Sequence, residues 1–102
     1  MSASLLQLNI RFSVSAADYE GAVAPLADQF ATVPGLRWKI WIINEAEGET
    51  GGIYLFDDEE SLNALLNSPL AAQVTGHPAL SDFSVKQFDV MEGVTATTRG
   101  PV

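Results

Sequence analysis

The 102-residue chain predicts an α+β domain of βαββαβ order, with one antiparallel sheet carrying two helices on the same face. Three observations point there. Leu5 to Phe12 alternates apolar and polar residues, as a strand with two different faces does. Two later stretches repeat apolar residues at helical spacing. Leu36 to Asn44 is apolar on both faces, which predicts a central, covered strand.

In the first strand, Leu6, Leu8, Ile10 and Phe12 form the apolar face, against Gln7, Asn9 and Arg11. Ser15 is an N-cap candidate, with Asp18 placed to complement the helix start. Tyr19, Val23, Leu26 and Phe30 make one helical stripe. Pro25 removes a backbone donor inside it, but its i−4 neighbour is Gly21, so a kink is expected rather than a break. Pro34-Gly35 ends the helix. On the second strand, Trp38, Ile40 and Ile42 share one side, and Arg37, Lys39, Trp41 and Ile43 the other.

A polar loop over 45–50 and Gly51-Gly52 lead into a third strand, Ile53 to Phe56. Asp57 is expected to cap the second helix with Glu60 in the reciprocal position, above a stripe of Leu62, Leu65 and Leu66. Pro69 restarts the helix, and Leu70 and Val74 continue its packing. Thr75 to Pro78 is a loop. Phe83 to Met91 is the fourth strand, and its change of parity between Val85 and Phe88 suggests a bulge near Lys86-Gln87. The domain is read as residues 1–92. Residues 93–102 form a polar tail that frays or wraps a partner. Right-handed crossovers between two βαβ-like halves give the ferredoxin-like arrangement. Its second sheet face is open, and Trp41 and Ile43 are expected there, so a homodimer should cover them.

Composition narrows the chemistry. Apolar residues make up 47% of the chain, which is globular. No apolar run is long enough to span a bilayer, and Met1 to Ser4 lacks a signal-peptide pattern, so a cytoplasmic location is expected. The net charge of −8 disfavours nucleic acid and anionic membranes as partners. There is no cysteine, and His77 is the one histidine, so no metal site is expected.

Four of the five basic residues, Arg11, Arg37, Lys39 and Lys86, fall in expected strands. Beside Trp41, such cations would suit a flat aromatic ligand bearing an enolate or phenolate oxygen; alternatively they pair with carboxylates between subunits. Trp38 is expected to face the helices and a cavity there, whereas Trp41 is expected in packing on the other face. Tyr54 directs its hydroxyl to the cavity or to solvent, and Phe56 on the same strand is a substrate-binding candidate. His77 is a proton acceptor or a surface residue. The acidic run Asp57 to Glu60 reads as a helix start. No phosphate loop, dinucleotide fingerprint or metalloprotease motif is present.

Leu36-Arg37-Trp38-Lys39-Ile40-Trp41 and Gly51-Gly52-Ile53-Tyr54-Leu55-Phe56-Asp57-Asp58-Glu59 closely resemble the YdhR-type mono-oxygenase family. Leu5 to Leu8, Pro25-Leu26-Ala27 and Phe88-Asp89-Val90 agree as well, while Asn67 to Phe83 matches less. The resemblance implies a dimeric α+β barrel. It further implies a cofactor-independent oxidoreductase acting on a small aromatic, phenolic or quinol-like compound. The site candidates are Trp38, Trp41, Arg11 and Phe56 for substrate contact, Lys39 or Arg11 for stabilising an anion, and Tyr54, Lys39 and His77 for catalysis; His77 lies in the less matched stretch and gains nothing from the resemblance. The other readings are a binding or sensor module, and an isomerase or cyclase working through an enolate.

Overall fold

A computed structural model describes residues 3–102. Met1 and Ser2, where the reading of the chain's start falls, lie outside the described residues. The elements are β1 (Ser4–Phe12), α1 (Ala16–Ala31), β2 (Leu36–Asn44), β3 (Glu49–Phe56), α2 (Glu59–Leu66), α3 (Pro69–Thr75), β4 (Leu80–Asp89) and α4 (Glu92–Thr97), with a 3₁₀ turn at Glu45–Glu47. One antiparallel sheet has the order β2-β3-β1-β4. This is the expected ferredoxin-like α+β fold, with α1, α2 and α3 on one face.

The first helix forms as its sequence directs. The Ser15 side chain accepts from the Asp18 N–H at 3.1 Å, and α1 runs unbroken through Pro25. Its Phe30 joins Leu62 and Leu65 of α2 and Leu70 of α3 over Leu6, Tyr54 and Phe56 of the sheet. That cluster is the core, and it fixes the inward face of β1 and β3. Gly51 brings β3 against β1 so closely that any β-carbon would collide with the Leu8 carbonyl, and its φ of +154° also favours glycine.

Several expectations need correction. β2 is an edge strand, not a central one. Its register slips between Leu36 and Trp38, where Arg37 is the extra residue of a bulge. Leu36 lies opposite Phe56 and Lys39 opposite Tyr54, so both turn toward the helices. Lys39 and Trp41 therefore face inward, while Trp38 and Ile40 face the side without α1–α3. The grouping of residues by face was legible, but the assignment of the two faces is the reverse of that expected.

Asp58 caps α2, accepting from the Ser61 N–H at 2.8 Å, and this holds its carboxyl below the usual range. Asp57 instead pairs with the bulged Arg37 at 2.6 Å. The irregularity opposite β4 falls near Asp82, which has a φ of 53°, rather than at Lys86-Gln87. Phe88 lies opposite Leu5 on the outward face, and Val85 opposite Leu8 on the inward one. The tail is partly helical as α4, and Trp38 Nε1 donates to the Pro101 carbonyl at 2.8 Å. No helix among the described residues is long and apolar enough to cross a membrane.

Candidate functional site

Between sheet and helices lies a small, partly open cavity of about 20 Å³, with Lys39, Trp41, Tyr54, Tyr19 and His77 in its wall. That volume holds roughly one water-sized molecule. A larger groove of about 630 Å³ adjoins it, between α1 and the β2 edge. Tyr19, Val23 and Trp41 border both spaces, so they form the partition between them. The groove falls within the usual size range of small-molecule sites. Its helical wall is built from small residues, including Ala16, Ala24 and Ala27, which leaves the Trp41 and Ile43 side chains uncovered.

Lys39 is the centre of the inner site. Its Nζ lies 3.3 Å from the Trp41 ring centroid, 3.6 Å from that of Phe30 and 4.6 Å from that of Tyr54. The rings also pack on each other: Phe30 meets Trp41 edge-to-face at 5.5 Å and Tyr54 at 6.0 Å. Among the described residues no carboxylate lies within salt-bridge distance of this amine. Burial lowers its pKa from 10.5 to about 7. The ring faces act the other way, since their quadrupoles favour the ammonium. Gly52 makes the packing possible: a β-carbon there would lie 2.9 Å from both Lys39 Cε and Tyr54 Cε1.

Tyr54 is buried, and desolvation followed by the charge of Tyr19 pushes its phenol well above the ordinary range. It is held as a proton donor. His77 reaches the cavity from the loop between α3 and β4. Its Nδ1 accepts from the Ala79 N–H at 3.1 Å, so the neutral ring carries its proton on Nε2.

The three catalytic candidates, Lys39, Tyr54 and His77, thus meet around one cavity, and Trp41 joins them. The remaining assignments change. Trp38 sits on the outward face and does not line the cavity. Arg11 is on the outward side of β1, exposed, with its guanidinium 3.3 Å from the Glu47 carbonyl and 3.9 Å from Asp82. Of the cations expected beside Trp41, Lys39 is there, whereas Arg11 lies on the opposite side of the sheet. Phe56 is fully buried behind Tyr54, stacked at 6.2 Å, and supports that ring without reaching the cavity. Tyr19 and Phe30 were legible only as a packing stripe. Gly52, one position from an obligatory glycine, was the available signal that something large lies over β3.

The family model described as "Putative mono-oxygenase ydhR" matches residues 5–101. The chain belongs to this family. No curated protein matches it. Among solved structures, SnoaB, a cofactor-independent oxygenase from Streptomyces nogalater, is 18% identical, with 92% of this chain and 98% of that one covered and a TM-score of 0.73. A protein of unknown function from Nitrosomonas europaea is 21% identical over 91% and 93% of the two chains, with a TM-score of 0.70. A hydroxynitrile lyase from Passiflora edulis is 16% identical over 89% and 95%, with a TM-score of 0.67. At these identities the likeness is one of fold, and the fold serves more than one reaction class.

Proposed function

We propose that the protein is a mono-oxygenase that uses no bound cofactor and acts on a small aromatic, phenolic or quinol-like compound. The observation that carries this reading is the meeting of Lys39, Tyr54 and His77 at one aromatic-walled cavity, in a member of a mono-oxygenase family. The outer groove takes the ring system, its reacting edge enters past Trp41 toward Lys39, and the inner cavity admits a molecule the size of dioxygen. The substrate loses a proton, and its anion passes electrons to dioxygen. For a ring methylene, C–H plus O₂ gives a hydroperoxide, which loses water to leave a carbonyl. One oxygen atom enters the product and the other leaves as water. The protein contributes a dry pocket and proton donors, Tyr54 and His77, for the peroxide oxygen.

The protein works as a homodimer in this reading. Ile40 and Phe88 are about half exposed on the outward sheet face, a cost that a second copy removes. Oxygen uptake with a panel of hydroquinones and anthrones tests the activity. Uptake that falls in Tyr54→Phe and Trp41→Ala variants supports it. Isomerised product without uptake, or binding without product, replaces it with the enolate isomerase or the binding module.

A further inference from the structure

We infer that Lys39 is the proton acceptor of this site, taking the substrate's acidic hydrogen on its neutral amine. The assignment rests on the proposed function for its substrate class, but its argument is one of elimination among the groups present. Four titratable side chains line the inner cavity: Tyr19, Lys39, Tyr54 and His77. A phenol ordinarily carries its proton at neutral pH, and Tyr54 is pushed further that way by burial and by Tyr19. His77 Nδ1 is already occupied by the Ala79 N–H, and its other nitrogen bears hydrogen. No carboxylate lines this cavity; Glu20 of α1 borders the outer groove and is the rival acceptor that the Glu20→Gln variant tests. Within the cavity, Lys39 is left as the one group with a lone pair to offer.

The surroundings also house the product of that step. When Nζ gains the proton, the substrate gains a negative charge and no oxidant is consumed. The new ammonium forms against the faces of Trp41, Phe30 and Tyr54, where a cation is favoured. With no carboxylate of its own to neutralise it, the ammonium is free to pair with the substrate anion. The same burial that lowers the amine's proton affinity strengthens this pairing. A base with a pKa near 7 is also matched to a neutral working pH.

Two measurements decide the assignment. The chain holds two lysines, Lys39 and Lys86, so NMR of their Nζ atoms resolves each, with Lys86 as internal reference. A Lys39 amine that titrates near pH 7 supports the inference, and one that stays protonated above pH 10 overturns it. Separately, anthrone in D₂O without oxygen reports proton removal alone, through exchange of its methylene hydrogens. The wild-type protein should accelerate exchange with a rate that climbs through pH 7. Lys39→Met should lose about 100-fold or more of that acceleration, while His77→Asn and Tyr54→Phe keep the inflection. An unchanged profile in Lys39→Met, or an inflection lost in Glu20→Gln or His77→Asn, overturns the base. Lys39-dependent exchange without oxygen uptake on admitting air leaves the base standing and removes the mono-oxygenase reading. Uptake independent of Lys39 does the reverse. If anthrone is not a substrate at all, the amine titration alone decides.

Discussion

The Lys39 amine lies 3.3 Å from the centroid of the Trp41 ring, two residues along the same strand, and both side chains turn under α1. A cation and a ring at alternate positions of one strand face share a side by necessity. That pair joins the inner cavity to the outer groove, and it sets the first prediction.

Lys39→Met should stabilise the protein at and below neutral pH. The folded-state pKa of Lys39 is lowered, so the unfolded chain binds more protons between pH 7 and 10.5, and stability should rise with pH across that window. Below it the full penalty for charging a buried amine applies. Allowing for the compensating ring contacts, Met should gain about 1–2 kcal/mol at pH 6 and abolish that part of the pH dependence. Urea unfolding at pH 6, 8 and 10 checks both the gain and the slope.

Gly52→Ala should disturb the site more than its one methyl suggests. The new carbon meets Lys39 Cε and a Tyr54 ring edge at 2.9 Å, and the ring has packed neighbours on its other side. A cost of about 1–3 kcal/mol is expected, together with loss of any activity that needs Lys39 in place. Gly51→Ala should be worse, because its obstacle is the backbone of β1. Denaturant midpoints of the two variants, compared directly, test that order.

Breaking the Arg37–Asp57 pair should have a small effect despite its 2.6 Å separation. Both side chains are around half exposed, so Arg37→Ala should cost under about 1 kcal/mol. A larger loss would mean that the ion pair holds the bulge, and a Trp41 environment altered in near-ultraviolet circular dichroism would accompany it.

The homodimer proposal predicts that Ile40→Lys or Phe88→Glu yields a folded monomer. Both residues sit on the outward face of the sheet, and neither belongs to the core. Sedimentation of the wild type as a monomer at micromolar concentration would remove the proposal.

These outcomes depend on a face assignment that was hard to read in advance. β1 was legible because its two faces differ: Leu6 and Ile10 are buried while Arg11 reaches water. β2 offered no such contrast, since Ile40 and Trp41 are equally apolar. A lysine among them suggested the wet side, but ring faces accommodate its charge inside. The Arg37 bulge adds a register shift that no local pattern announces. Asp57 and Asp58 are equally good caps by type, and only the Arg37 partner separates them. His77 was visible as a residue, but its place beside Lys39 depends on how α3 returns the chain to the sheet.

The hydrogen bond from Trp38 to the Pro101 carbonyl has a practical consequence. It ties the last residues of the sequence to the outward sheet face. Any polypeptide fused after Val102 would emerge beside that face, so a bulky reporter there would act as a wedge. A small epitope added at that end and a large one should then give particles of different subunit number, if a second copy does dock on that side.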